Sequence, residues 1–449
     1  MVGGQWSVVS GQGPGLPRRR YAGLPVTPHS ALRRPAVQVA HLVRAVFPEH
    51  GYGGLERAAS ALTTELRRQG ADVTLFSRVR SAECGVRSAG YDDTQHATRD
   101  TQYVGVPYSV LPLRPNGIAA RVTNYPLFVE RMGREVERRA RTGGVDVVYA
   151  QGLCAWGVRS RGRRRTPRGV APLVMNPQGL EDFKVRDPLK RLAYAPFRAM
   201  YARGARAADR VIATDESLRG EVSRYLRVPP ERVVVLPNGV DPAAGAALVS
   251  AERQAELRAR YALSEGGFLG ISVARLEANK GLPYLLRALA TLDRAGDWRW
   301  VVVGTGRDEA ALRGLAGELG IGGRVVFTGA VDDADLHNLY AMADAFAIST
   351  LYEGSSLVTL EAMAHGLPVV GTRAGGLPDK VLPGRTGLLV PPGDAPALGE
   401  GIARLMADRT AAAEMGRAGA ALVEERFTWE KIAARTLRLF EELTLSSRS

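Results

Sequence analysis

Two cysteines in 449 residues, Cys84 and Cys154, are too few and too scattered for a disulfide framework or a zinc site. The chain also lacks any uninterrupted apolar stretch near the ~20 residues that cross a bilayer. Its first residues include Pro14, Pro17, Arg18, Arg19, Arg20, Pro25 and Pro28, without the apolar core of a secretion signal. Residues 1–35 therefore read as a disordered basic leader, and the chain as cytoplasmic. Acidic residues are scarce in one region: residues 115–210 hold 20 Lys and Arg against 8 Asp and Glu, most of the net charge of +14. The positive field therefore belongs to the first half. Its densest part is Arg159, Arg161, Arg163, Arg164, Arg165 and Arg168, followed by Lys184, Arg186, Lys190, Arg191 and Arg198 among Leu192, Tyr194, Phe197 and Met200. Peripheral contact with an anionic membrane or an anionic acceptor is one reading, and solvated surface charge the other.

What is present is ordinary for a soluble globular protein: 45% hydrophobic and 24% charged residues, in a chain long enough for two cores. Strand-like runs alternate with helical periodicity over nearly the whole length, which predicts parallel α/β sheets with helices on both faces. In the first half the expected strands are 37–43, 71–77, 145–151, 173–176, 211–214 and 233–236. The stretch 91–116 is poor in pattern and reads as a long loop. After the turn cluster Pro237-Asn-Gly-Val-Asp241 a second series begins, with strands at 268–273, 300–303, 325–328, 345–348, 368–371 and 388–390. Helices are expected from about Gly281, Asp308, Asp333, Leu357 and Pro396, and a last amphipathic stretch from Trp429 to Leu443. The expected domains are 36–241 and 242–427, with 428–449 as a helix packing back on the first.

The most informative segment is Glu353-Gly-Ser-Ser-Leu-Val-Thr-Leu-Glu361. With a strand ending near Thr350 and a helix starting near Leu357, Glu353 falls in the turn and Glu361 about one turn inside the helix. Gly354, Ser355 and Ser356 leave the helix-start N–H groups open to an anion, with two carboxylates near enough to accept from hydroxyls. Phosphate flanked by hydroxyls on both sides describes a nucleotide sugar. Taken alone, the pair is equally two glutamates on and before a helix. Arg275 and Lys280 follow the first strand of the second series, where open parallel sheets bind ligands. An arginine can grip two phosphate oxygens, and a lysine adds a compact charge.

Gly304-Thr-Gly306 begins like a dinucleotide fingerprint, but Glu309 breaks the pattern, so it reads as a tight turn lining the crevice. Asp333-Ala-Asp335 has the spacing of a metal-binding pair and the position of helix caps. In the first half, Gly53 and Gly54 can bring backbone close to a ligand. Gln178 and Gly179 follow another strand end, with an amide facing the crevice.

Together these elements resemble glycosyltransferase family 4, retaining sugar-nucleotide transferases of the GT-B fold. The resemblance rests on Gly53-Gly54-Leu55-Glu56, Pro237 to Asp241, Arg275 with Lys280, Gly304 with Gly306, Phe327-Thr328-Gly329, the Glu353 to Glu361 pair, and Gly375-Gly376, between about Val37 and Leu443. It implies two doubly wound α/β domains about a cleft and transfer of a hexosyl group from a UDP- or GDP-sugar to a carbohydrate, lipid-linked or small-molecule acceptor. It implies no obligatory metal or other cofactor, and no nucleic acid partner. By the same resemblance Glu361 binds ribose hydroxyls, Glu353 the hydroxyls of the transferred sugar, and the backbone of Ser356, Leu357 and Val358 with Arg275 and Lys280 the diphosphate. Arg275, Lys280 and Glu353 form the expected catalytic set. Gly329 to Val331 pass near the base, and Gly53 and Gly54 face the donor phosphate or the acceptor. Two departures stand out. Gln178 replaces a histidine found in many members and cannot titrate, although it can bind sugar while the leaving phosphate takes the proton. Asp379 is one carbon shorter than the usual glutamate. A sugar-nucleotide 2-epimerase or hydrolase of the same architecture, or a non-catalytic binder of anionic surfaces, are the alternatives.

Overall fold

The computed structural model describes residues 36–45, 54–79, 86–88, 102–107, 118–158, 171–180, 183–184, 187–292 and 296–448. The expected leader, Gly53 and the arginine run Arg159 to Arg168 lie outside them. Val37–Ser449 is one contact unit, and every element below belongs to it.

The first sheet contains β1 (Gln38–Leu42), β2 (Asp72–Val79), β3 (Val86–Ser88), β4 (Gln102–Pro107), β5 (Val147–Gln151), β6 (Leu173–Asn176), β7 (Arg210–Ala213) and β8 (Val233–Val235), in the order β3-β4-β2-β1-β5-β6-β7-β8. The second contains β9 (Phe268–Val273), β10 (Trp298–Val303), β11 (Val325–Gly329), β12 (Ala345–Ile348), β13 (Val369–Thr372) and β14 (Gly387–Val390), in the order β11-β10-β9-β12-β13-β14. All pairings are parallel except the edge strand β3. The inner strands are apolar on both faces because helices cover both, as in Val-Val-Tyr-Ala-Gln of β5, which is buried throughout.

The helices of the first half are α1 (Gly54–Arg68), α2 (Ile118–Arg141), α3 (Cys154–Val158), α4 (Pro188–Ala193), α5 (Ala195–Ala207) and α6 (Glu216–Leu226). Those of the second are α7 (Pro242–Ala246), α8 (Ala251–Tyr261), α9 (Leu282–Ala290), α10 (Glu309–Glu318), α11 (Asp333–Met342), α12 (Leu357–Ala364), α13 (Ala395–Ala407) and α14 (Arg409–Arg426), followed by α15 (Trp429–Arg448). The outgoing chain meets the returning one where Val240 bridges Thr428. Beyond that crossing, Ile432, Ala433 and Phe440 of α15 join Val39, Val147, Tyr149, Leu62 and Leu66 in one buried cluster, so α15 covers a face of the first sheet.

One expectation fails, and one helix is found beyond those expected. The patternless stretch 91–116 contains β4, which pairs in register with β2 from Thr74↔Gln102 to Val79↔Pro107. Its Gly105 and Pro107 mimic turn signals, and it is a strand because β2 offers it a parallel partner. The helix expected from Pro396 is present as α13, and a further one, α14, follows it, with Asp408 capping Ala411 N at 2.9 Å.

Candidate functional site

In the second sheet β9 and β12 lie side by side, and the strand order departs from them in opposite directions. The crevice at such a switch point, outside the strand ends, is where open α/β sheets hold ligands. The loop after β9 carries Arg275 and Lys280, and the loop after β12 carries Glu353. The two loops are laced together: Leu351 N donates to Asn279 O at 2.9 Å, Thr350 Oγ1 to the same carbonyl at 3.1 Å, and Ser349 Oγ to Lys280 O at 3.0 Å. That lacing brings Lys280 Nζ to 2.8 Å from Glu353 Oε2, with each side chain mostly buried. Arg275 points elsewhere, pairing with Glu277 at 3.0 Å and standing two-thirds exposed.

Ser356 caps α12, its Oγ accepting from Thr359 N at 3.3 Å and lying 2.8 Å from Thr359 Oγ1. The earlier N–H groups of this helix are left for another acceptor. Beside them, Ser355 Oγ is shielded from solvent without a hydrogen-bond partner among the described residues. A ligand oxygen there would satisfy it. The turn is backed by Gly375, whose φ is +54° and whose Cβ, if present, would stand 1.6 Å from the Glu353 carbonyl oxygen. Gly375→Ala should therefore displace Glu353 and cost at least about 1–3 kcal/mol, seen as a lower denaturation midpoint together with a raised donor KM. Unchanged values would show that the turn yields easily. Gly304 and Gly306 are likewise set by contact, since a Cβ would lie 2.0 Å from Ala274 O and 2.2 Å from Leu276 O. They form the wall behind the Arg275 loop. Gly304 N donates to Gly329 O at 2.9 Å, and Val331 is half-buried just beyond.

Glu361 accepts from the Tyr340 hydroxyl at 3.2 Å. Its pKa is raised, chiefly by burial; Arg57 and the Tyr340 hydrogen bond oppose this, and Asp333 adds to it. Arg57, in the first turn of α1, reaches across from the first sheet's side to grip both oxygens of Asp333 at 2.8 and 2.6 Å. Close by, the position a Gly54 Cβ would take is 3.4 Å from Leu357 Cδ1, so the start of α1 faces the start of α12. The Asp333-Ala-Asp335 pair does not form a metal site: Asp333 binds Arg57, and Asp335 binds Arg253 and Arg260 at 2.6 and 2.9 Å. Asp332 is the cap, accepting from Asp335 N at 2.7 Å.

On the other side, Gln178 adopts φ +63° and its N–H donates to Asn176 Oδ1 at 3.0 Å. With Tyr149, Gln151, Asn176 and Asn238 it lines a polar cavity of about 10 Å³, room for one water. Neighbouring His41 is held by Thr63 Oγ1 at 2.8 Å and Gln151 Nε2 at 3.0 Å, and burial lowers its pKa to about 3. It stays neutral at physiological pH. Leu180 N, next to Gly179, donates to the Tyr352 hydroxyl at 3.3 Å, and Lys184 Nζ sits 4.0 Å over the Tyr352 ring. Asp379 accepts from Ser217 N and Oγ at 3.0 and 2.8 Å, turning toward the start of α6 rather than to Glu353. Beside it Lys380 and Asp215 form a fully buried ion pair. Sequence reasoning missed Arg57, Tyr340, Tyr352, Asp215 and Lys380. Only Arg57 left a signal: a cation in the first turn of a helix, where the macrodipole disfavours it.

Two α/β sheets with a nucleotide-type switch point and a crossing C-terminal helix define a GT-B protein. Sucrose-phosphate synthase from Thermosynechococcus elongatus has this fold, with a TM-score of 0.72 over 91% of this chain and 99% of that one at 23% identity. The chain belongs to glycosyltransferase family 4: the description Glycosyltransferase Family 4 matches residues 52–244, and Glycosyl transferases group 1 matches residues 253–422. It is similar to a GDP-mannose-dependent alpha-(1-6)-phosphatidylinositol monomannoside mannosyltransferase of Mycolicibacterium smegmatis, 35% identical over 52% of the chain and 65% of that protein. A D-inositol 3-phosphate glycosyltransferase of Segniliparus rotundus is 28% identical over 91% of the chain and 89% of its own length. For the first of the curated relatives, the chain spans 59%, 65% and 49% of their lengths.

Proposed function

We propose that this chain transfers a hexosyl group from a GDP- or UDP-sugar to an acceptor hydroxyl, with retention at the anomeric carbon and without an obligatory metal. The observation that carries the reading is the Lys280–Glu353 pair beside the open start of α12, at the β9/β12 switch point. Lys280 meets the diphosphate, the N–H groups of α12 take its other oxygens, and Glu353 keeps one oxygen for the sugar hydroxyls. Arg275, two-thirds exposed, swings from Glu277 to the phosphates. Glu361 accepts from the ribose. In the transfer step the acceptor oxygen bonds to the anomeric carbon as the bond to the β-phosphate oxygen breaks, and the hydroxyl proton passes to that phosphate. The base, near Gly329 to Val331, is guanine or uracil; the mannosyltransferase relative favours GDP-mannose.

Gln178 and Gly179 border the acceptor. On the same side, α4 exposes Leu189 and Leu192 beside Arg191, which supports contact with an anionic bilayer presenting a lipid-linked acceptor. Calorimetric titration with GDP-, UDP- and ADP-sugars, then NMR of the product, tests the whole reading. Tight binding of a GDP- or UDP-sugar and a retained anomeric configuration are expected, undiminished by a chelator. Failure of every sugar nucleotide to bind, or epimerised donor without acceptor, would sink it. Sedimentation with anionic but not neutral vesicles is the expected result for the membrane contact, and equal sedimentation with both rejects it.

A further inference from the structure

The two carboxylate oxygens of Glu361 have different surroundings. Oε2 accepts from the Tyr340 hydroxyl at 3.2 Å, whereas Oε1 takes no hydrogen bond among the described residues, on a residue that is only half-buried. One oxygen is held by the protein and the other is open to a ligand hydroxyl. The Tyr340 hydroxyl also lies 3.4 Å from the carbonyl oxygen of Val358, but the carboxylate is the nearer acceptor and the charged one.

Tyr340 is itself fixed. It is fully buried, and its ring meets three others: Phe346 of β12 with centroids 6.2 Å apart, His337 one turn back on α11 at 6.2 Å, and His365 at the end of α12, stacked at 5.7 Å. His337 Nδ1 and His365 Nε2 are 2.8 Å apart, and Gly245 of α7 backs them so closely that a Cβ there would lie 2.7 Å from His337 Cε1. A close-packed stack of this kind leaves the phenol no room to swing, so its hydroxyl is a stationary donor reaching from α11 to a carboxylate on α12.

On the reading of Glu361 as the ribose carboxylate, we propose that Tyr340 is a positioning residue for the donor. It pins Oε2 before the ligand arrives, so that Oε1 already faces the ribose and the site prefers ribonucleotides to deoxyribonucleotides. A glutamate side chain is rich in rotamers, and ordering it in the free protein removes that cost from the binding step. The phenol never touches the sugar.

The test is a double-mutant cycle of Tyr340→Phe and Glu361→Ala in the full chain, read by calorimetric titration with GDP and UDP and with their 2′-deoxy and 3′-deoxy analogues. Phenylalanine keeps the ring and deletes only the hydroxyl. The wild type should bind the ribonucleotide more tightly than its deoxy analogues. Tyr340→Phe should weaken the ribonucleotide about three- to thirtyfold and the deoxy analogues far less, so the preference shrinks. Combined with Glu361→Ala the same substitution should change little, because the group it positions is gone. Binding stoichiometry counts folded molecules, so a poorly folding variant still reports its preference. A loss equal for ribose and deoxyribose ligands, or an effect of Tyr340→Phe as large with Glu361→Ala as without it, overturns the proposal and leaves Tyr340 a packing residue between α11 and α12. The ribose assignment fails separately: a wild-type preference that survives Glu361→Ala removes the premise, whereas a preference lost in Glu361→Ala and untouched in Tyr340→Phe refutes the role of Tyr340 alone.

Discussion

Lys280→Met is expected to lower kcat by about 10²–10³-fold with little change in donor KM. The reason is where charge develops. In the proposed reaction the bridging oxygen gains negative charge, as the glycosidic bond to the diphosphate breaks, beside a mostly buried ammonium fixed by Glu353 at 2.8 Å, and a pre-oriented cation there needs no reorganisation. On the same proposal the diphosphate is held by the N–H groups of α12 before the bond breaks, so binding depends less on Lys280. The substitution also leaves the Glu353 carboxylate without its cation, at a stability cost of about 1–3 kcal/mol. Activity is therefore compared per folded molecule, by steady-state kinetics beside a denaturant titration. Lys280→Arg should retain part of the rate. Wild-type kcat in Lys280→Met would remove the lysine from the chemistry.

The largest stability effect is expected at Lys380→Met, about 3–5 kcal/mol by denaturant titration at pH 8. Asp215 and Lys380 are 1% and 0% exposed, so removing one partner strands the other charge away from water. Burial raises the Asp215 pKa to about 6, against the pull of Lys380, and Asp379 adds to the rise. Without Lys380 the folded-state pKa rises further above the unfolded one. A group raised in this way stabilises the fold below its unfolded pKa, and the contribution is lost as pH rises through the folded value. The deficit of Lys380→Met should accordingly be smaller at pH 5 than at pH 8. Asp215→Leu combined with Lys380→Met should recover most of the loss, because an apolar pair of similar volume carries no desolvation cost. A double variant as unstable as the single one would mean that Lys380 serves by packing, over Phe427 and near Gly376 O, instead of by charge.

Local pattern was a sound guide to the elements. Strands 173–176, 268–273 and 345–348 were legible to the residue, because an inner parallel strand is a short apolar run with hydrophilic ends. The start of α12 at Leu357 was legible because Ser356 is a good cap before an apolar stretch. β4 was not, since its weak alternation is resolved only by a partner on β2. Asp333 illustrates the limit at the site: its sequence setting suggests a cap, its neighbour Asp332 does the capping, and its partner Arg57 is 276 residues away.

The amino-acid order by itself determined the alternation of strand and helix, the glycines of the tight turns, and which loops carry carboxylates and cations, since these follow from backbone sterics and apolar periodicity within a few residues. Which loops meet was decided by strand order, which is set by long-range packing. β9 beside β12 placed Lys280 against Glu353, and the approach of the two sheets placed Arg57 on Asp333 and buried Lys380 with Asp215. An ion pair depends on distance in space, and sequence separation carries no record of it.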